Sequence, residues 1–478
     1  MKTYPSIAAI QAAVRAGETT CVATVQAYLD RIQAHQNLNA FLETFDQEAL
    51  TRAAQIDAKI KAGNAGALAG AVIAIKDVLC YEGHKVSASS KILENFESLF
   101  TATCVQRLLD ADAILIGRTN CDEFAMGSSN ENSAFGKVLN AQDPTKVPGG
   151  SSGGSAVAVQ ADLCIASLGT DTGGSVRQPA SFCGIVGMKP TYGRISRNGV
   201  IAYASSFDQV GVFTKSIADA ALLIHVMSGA DEMDSTTSEK NASPATIRAT
   251  SLNQKRIAYF PSFLDTPGID NEIKAAFNQL LESAKAAGAI VEPVVFDKLD
   301  YLIPAYYVLT TAEASSNLAR YDGVHYGYRS PQAVDLESVY RKSRSEGFGA
   351  EVKRRIMLGT FVLSEGFYDA YYTQAQRVRR IVKDEMDAIF DKYDLILTPT
   401  TPTTAFGFGD KKDPIAMYLN DIYTVLCNLV GLPGISIPLA NHSNGLPFGV
   451  QLITQRFQEE QLFAFSQAIS NCTQTPVT

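Results

Sequence analysis

Two glycine-cradled serine clusters flank the apolar run 156–168: Gly149-Gly150-Ser151-Ser152-Gly153-Gly154-Ser155 before it and Asp171-Thr172-Gly173-Gly174-Ser175 after it. A single Gly/Ser run is ordinarily a flexible linker, but a linker is not embedded in core-forming sequence. The chain must therefore carry tight glycine loops into its interior, where the lack of a Cβ lets backbones approach closely and adopt positive φ. Hydroxyls crowded among N–H donors in this way are the equipment of acyl transfer: an attacking oxygen beside an oxyanion pocket.

A serine nucleophile needs a base. Residues 149–153 formally fit G-x-S-x-G, the nucleophile elbow of α/β-hydrolases, which requires a preceding strand and a downstream histidine. Residues 140–148 are instead polar and loop-like. Of the five histidines, His225 falls in the apolar run ALLIHVMSG and reads as core, His442 lies in a turn, and only His325 is a candidate base. Lysine offers an alternative. Lys76 ends the strand-like apolar run 71–75, where desolvation would lower its pKa and make the neutral amine accessible. Taken alone, Lys76 reads as a surface lysine at a strand end. The residues by themselves do not rank Ser151, Ser152, Ser155 and Ser175.

Longer strings carry a resemblance: IAIKD (73–77), SKILENF (90–96), GRTNCDEFAMGSSNENSAFG (117–136), VPGGSSGGSA (147–156), GTDTGGSVRQPASFCGIVGMKPTYGR (169–194), SSFDQVGVFTKSIADAALL (205–223), EVKRRIMLGTF (351–361) and NLVGLPGISIPL (428–439). Over essentially its whole length the chain resembles the amidase signature family, and within it the members that serve as glutaminase subunits of tRNA-dependent amidotransferases. The resemblance implies a Ser–Ser–Lys triad. Ser175 would be the acylated nucleophile, Ser151 the bridging serine at a cis peptide, and Lys76 the base. A hydroxyl both donates and accepts, so Ser151 could pass a proton either way. Backbone N–H groups of Thr172, Gly173, Gly174 and Ser175 are the expected oxyanion donors. Asp171 and Arg177 read as structural partners, and Cys183 as a small buried residue. Ser89 stands where a cysteine is common in the family.

Glutamine carries an α-ammonium and an α-carboxylate. The resemblance assigns their ligands to Asp421 and Arg355, with Tyr306 nearby. Without it, Arg354 and Arg355 read as a solvated helix face, Asp421 as a surface acid and Tyr306 as core, and the choice of Arg355 over Arg354 is one of alignment. The implied reaction is hydrolysis of glutamine to glutamate and ammonia. The ammonia would pass to a partner that uses ATP to convert Glu-tRNA(Gln) to Gln-tRNA(Gln). Two partner subunits, B and C, are implied, with tRNA, ATP and Mg on the partner side and no cofactor or metal on this chain. Competing readings are a free-standing amidase for another small amide and an inactive partner-binding scaffold.

The expected fold is α/β: a single large domain spanning 1–478, with a central mixed β-sheet flanked by helices. It divides into a helical part (1–62), a catalytic core (67–230) and the remaining sheet and pocket elements (253–478). A strand at 67–77 would deliver Lys76. Ser216 and Asp219 predict a capping box. Ile273, Phe277, Leu280, Leu281 and Ala284 form one helical stripe ended by Gly288. Residues 434–454 predict a hairpin about Asn444-Gly445. The polar tract 232–251 predicts an exposed excursion. With 46% hydrophobic and 19% charged residues the composition is ordinary for a globular chain. No run of eighteen apolar residues predicts a membrane span. Eight scattered cysteines without metal spacing point to a reduced, cytoplasmic setting. A net charge of −8 and the absence of a dense Lys/Arg stripe predict that the chain does not itself grip tRNA strongly.

Overall fold

The alternation of strand-like and helical segments resolves into one eleven-stranded mixed sheet. The computed structural model describes residues 3–240, 245–266, 268–411, 417 and 419–473. The strands are β1 (Phe41–Thr44), β2 (Val72–Lys76), β3 (Ile114–Thr119), β4 (Ala166–Asp171), β5 (Val186–Lys189), β6 (Gln209–Thr214), β7 (Arg256–Tyr259), β8 (Ile290–Pro293), β9 (Leu395–Pro399), β10 (Gly434–Asn441) and β11 (Pro447–Ile453). Their spatial order is β1-β3-β2-β4-β6-β5-β10-β11-β9-β7-β8. The neighbours β3-β2-β4 and β9-β7-β8 are parallel; every other pair is antiparallel.

The central strands β2, β3, β4 and β6 are buried along their whole length. They therefore read as continuous apolar runs rather than alternating ones. The apolar run between the two serine clusters becomes the helix Gly153–Gln160 followed by β4. All of 153–159 is buried, so this helix has no solvent face.

Several expectations hold residue by residue. The stripe on the helix Asn271–Ala286 is buried, Asp270 caps its start, and Gly288 follows its end at φ +91°. The hairpin pairs Gly434 with Ile453 and Asn441 with Pro447, with Gly445 at φ +84° in its loop. The described part of the tract 232–251 is mostly exposed, although Asp234 folds inward onto Arg197; residues 241–244 lie outside the described residues. All eight cysteines are free thiols. Among the described residues, no helix is long and apolar enough to cross a membrane.

Others need correction. Among its described residues the segment 1–62 holds three α-helices and a 3-10 turn but also β1, a four-residue edge strand on β3, too short to show a period. The strand that delivers Lys76 starts at Val72, not 67, because 67–70 form a turn. Only half of the Ser216–Asp219 capping box forms as drawn. Ser216 Oγ accepts from Asp219 N, but the Asp219 carboxylate accepts instead from Ile7 N, at the start of the helix Ile7–Arg15. His225 is exposed, not core; the apolar run around it is a helix whose other side is buried. On the helix Gln374–Phe390, Arg379, Arg380 and Lys383 share one side, with Asp384 pairing Arg380 and Asp387 pairing Lys383.

Candidate active site

Lys76 ends β2, and its parallel neighbour β4 ends in Thr170 and Asp171. Both strands point their C-terminal ends at the same region, where α/β sheets place their ligands. The loop 149–152 closes over these strand ends, with a cis peptide between Gly150 and Ser151. Gln178 clamps the loop from one side: its Oε1 accepts from Gly150 N at 3.0 Å and its Nε2 donates to Ser128 O at 2.7 Å. A side chain at 150 would drive into the Asp122 carboxylate, so only glycine fits.

Lys76 is fully buried, which removes the surface-lysine alternative. Its Nζ lies 2.7 Å from Ser151 Oγ, 2.9 Å from Ser152 Oγ and 2.9 Å from Thr170 Oγ1. Burial pushes its pKa down, against the opposing pull of Cys121 and the carboxylates of Asp122, Asp208 and Asp171. Three hydroxyls around one amine suit both protonation states. An ammonium donates to all three, whereas a neutral amine donates to two and accepts from the third.

The hydroxyls are not equivalent. Ser152 Oγ donates to Thr170 O at 3.1 Å and accepts from Thr170 N at 3.3 Å as well as from Lys76, so its hydrogen is committed. Ser155 Oγ donates to Leu168 O and meets Thr119 Oγ1. Ser151 Oγ has Lys76 as its sole partner among the described residues, which leaves its hydrogen free to move. Ser175 Oγ makes no hydrogen bond to described residues. It is 8% exposed where Ser151 and Ser152 are at zero. The Lys76–Ser151 leg of the expected relay is thus formed, and the Ser151–Ser175 leg is open in this resting arrangement.

The loop bearing Ser175 is held from behind. Asp171 accepts from Gly174 N at 2.9 Å and Val176 N at 3.2 Å, and pairs with Arg177 at 3.0 Å and 2.9 Å; both side chains are wholly buried. Burial alone would raise the Asp171 pKa, yet the Arg177 guanidinium holds it at about 2. Their expected structural role is what the geometry displays. One oxyanion assignment changes here. Gly174 N–H is already given to Asp171, whereas the N–H groups of Thr172, Gly173 and Ser175 have no acceptor among the described residues. Thr424 Oγ1 donates to Gly173 O at 2.6 Å, fixing that peptide, and Asp208 accepts from Thr172 Oγ1 at 2.7 Å.

Tyr306, Arg355 and Asp421, from three distant segments, gather at this loop. Tyr306 lays its hydroxyl end against Gly173 so closely that a Cβ there would collide with it. Arg355 is buried, donating to Glu351 at 2.8 Å and to Tyr203 Oη at 2.8 Å, and lying over the rings of Tyr203 and Tyr307. Arg354 is half exposed and pairs with Glu351, so position 355 is the one that faces inward. Asp421 accepts from Ser128 Oγ at 2.8 Å and Tyr307 Oη at 3.4 Å. Burial raises its pKa to about 7, with Ser128 and Arg355 pulling it back. Ser128, Tyr203, Gln178 and Thr424 are functional neighbours that the sequence did not single out. Ser128 and Gln178 sit in the strings 117–136 and 169–194 and were within reach; Tyr203 and Thr424 lie outside those strings.

His325 is excluded as the base: its side chain is largely exposed and is held by Asp322. Cys183 is buried, with its thiol on Pro148 O at 3.5 Å and its pKa raised by desolvation, as a structural residue should be. Among the described residues, no group of three or more His, Cys, Asp or Glu is arranged to hold a metal ion.

A family model described as Amidase matches residues 23–463. The chain belongs to the amidase family. The A subunit of glutamyl-tRNA(Gln) amidotransferase from Chlorobium phaeobacteroides is 49% identical over 470 residues, spanning 97% of this chain and 98% of that one. The crystal structure of the corresponding A subunit from Thermotoga maritima superposes with a TM-score of 0.78 at 40% identity, covering 95% of this chain and 91% of that chain. The peptide amidase of Stenotrophomonas maltophilia superposes with a TM-score of 0.82 at 28% identity, covering 99% and 98%. The fold is thus shared with a peptide amidase, while the sequence likeness runs toward amidotransferase A subunits.

Proposed function

We propose that this amidase-family chain is the glutaminase subunit of a tRNA-dependent amidotransferase. One observation carries the reading: a buried carboxylate, Asp421, and a buried guanidinium, Arg355, stand at the same nucleophile loop. That is the complement of a free amino acid, whose ammonium and carboxylate flank one carbon. The planar fork of Arg355 suits a carboxylate, and Tyr306 against Gly173 walls the passage to the nucleophile.

In this reading Ser175 Oγ attacks the side-chain carbonyl carbon of glutamine. Its proton passes to Ser151 Oγ, and the Ser151 proton to neutral Lys76. The oxyanion is received by the N–H groups of Thr172, Gly173 and Ser175. The resulting lysinium returns its proton through Ser151 to the departing nitrogen, and ammonia leaves. Water then enters by the same relay and releases glutamate. The relay requires the Ser151–Ser175 leg to close when glutamine is bound.

The ammonia would go to partner subunits, B and C of a cytoplasmic three-subunit enzyme. They would hold the tRNA and use ATP and Mg to turn Glu-tRNA(Gln) into Gln-tRNA(Gln). No cofactor is assigned to this chain. The likeness to named A subunits supports this assignment over a free-standing amidase. The test is ammonia release from glutamine by the chain co-purified with its partners. Turnover that is low alone, rises with partners and vanishes in S175A while assembly persists supports the reading. Equal turnover of small aliphatic amides by the isolated chain overturns it.

A further inference from the structure

The helix Gln374–Phe390 carries Gln376, Arg379, Arg380 and Lys383 at i, i+3, i+4 and i+7, which places them on one side. Together with Tyr192 and Arg456 they line a cleft of about 370 Å³ against the end of the helix Val425–Val430. Four cations line this cleft and no carboxylate does. Asp384 and Asp387, which pair with Arg380, Lys383 and Arg456, stand outside the lining. Counting Asp384, Asp387 and Glu313, which neighbours Arg379 through Ser206, the cluster keeps one positive charge in excess on a chain whose net charge is −8.

The cations divide by task. Arg379 is committed to the protein: Nε donates to Leu429 O at 2.7 Å, both Nη groups reach Ser206 at 3.0 Å, and its plane lies 4.3 Å over the Phe207 ring. It thereby covers the Leu429 carbonyl that would otherwise repel an anion. Arg380 meets Asp384 through Nε, and Arg456 meets Asp387 through Nη2. The remaining guanidinium donors of both have no acceptor among the described residues. Lys383 gives Asp387 one of its three donors, at 2.6 Å.

We propose that this cleft binds a phosphate group. Two guanidinium groups and an ammonium, each with donors left over from Asp384 or Asp387, line one cleft with no carboxylate in the lining, and together they can serve more oxygens than the two that a carboxylate offers. The volume is that of a small-ligand pocket, with room for a phosphate and the sugar beside it. The phosphate comes either free or on an RNA backbone, and the experiment separates the two. The proposal is independent of glutamine hydrolysis, because its readout is binding.

The full chain is titrated calorimetrically at physiological salt with pyrophosphate, with a twelve-residue oligouridylate and with malonate. Pyrophosphate binds, and R380Q/R456Q weakens it at least tenfold with an unchanged melting temperature. The single variant R380Q, at a largely exposed position, weakens it severalfold and guards against misfolding of the double variant. Tighter binding of the oligouridylate, falling steeply with salt, assigns the RNA backbone as the source; binding of pyrophosphate alone assigns free phosphate. Failure of both phosphate probes to bind, unweakened binding by R380Q and R380Q/R456Q, or malonate binding as well as pyrophosphate overturns the proposal.

Discussion

Arg177 and Asp171 form a two-pronged ion pair, 3.0 Å and 2.9 Å, with neither side chain touching solvent, directly behind the loop that presents Ser175. Asn428 donates to Asp171 and accepts from Arg177, so the pair is satisfied on both sides. Breaking a buried pair from one side leaves an uncompensated charge. Arg177→Ala is therefore expected to destabilise the chain by about 3–5 kcal/mol, read as a shift in the urea unfolding midpoint. A loss below about 1 kcal/mol, the scale of an exposed pair, would show that the loop does not depend on this one.

The relay separates neighbouring serines. Ser151→Ala removes the one hydroxyl free to carry a proton from the nucleophile and should lower kcat for glutamine by roughly 10²–10⁴-fold, the range for lost acid–base catalysis. Ser152→Ala removes a hydroxyl already committed to Thr170 and should cost far less. Steady-state ammonia release distinguishes them, and equal losses would erase the distinction.

Lys76 must be neutral to accept a proton. Burial lowers its pKa, so the neutral amine becomes populated at a lower pH than for a free lysine. The kcat profile at saturating glutamine, which Asp421 moves little, should climb as pH rises through that lowered value. Lys76→Ala should flatten the limb and reduce the rate; a variant that keeps the same rising limb would exclude Lys76 as its origin.

Arg355 and Arg354 are adjacent in sequence and opposite in placement. Losing the buried Arg355 should raise the glutamine KM by about 10–100-fold, the worth of a charged hydrogen bond of roughly 1.5–3 kcal/mol. Arg354→Ala, at a half-exposed position, should leave KM within about twofold. The reverse pattern would move the carboxylate ligand by one residue.

Asp421 binds an ammonium only when ionised. Burial holds its pKa at about 7, so the carboxylate is lost as pH falls through that value. The glutamine KM should rise on acidification below about 7, with a smaller change in kcat. Asp421→Asn should raise KM at every pH and abolish its pH dependence, which a KM series spanning roughly one and a half pH units either side of that value would reveal.

What the sequence made legible was whatever lay contiguous in it. The two serine clusters, the apolar end of β2, the stripe on the helix Asn271–Ala286 and the β10–β11 hairpin all follow from local periodicity or glycine placement. The ranking of Ser151 over Ser152 was not legible, because it depends on Thr170, across the loop, claiming one hydrogen and not the other. Gly174 misled for the same reason: a glycine beside a nucleophile signals an available N–H, and only the folded position of Asp171 takes it away. His225 sits in an apolar run whose helix turns it outward. The cationic side of the helix Gln374–Phe390 is interrupted by Val378, Ile381 and Val382, which hid it from a search for dense charge. The proposed glutamine ligands, more than a hundred residues from Ser175, came only through family likeness.

The order of strands also has a meaning for synthesis. β1 to β6 lie together on one flank and β7 to β9 on the other, and the last-made hairpin, β10–β11, is the seam between them, pairing with β5 on one side and β9 on the other. A nascent chain that still lacks this hairpin has no strand pairing between its two flanks, and joins them only through contacts such as Arg355 on Tyr203 and Gly349 on Glu123. The sheet therefore becomes continuous only when the last-made strands are in place.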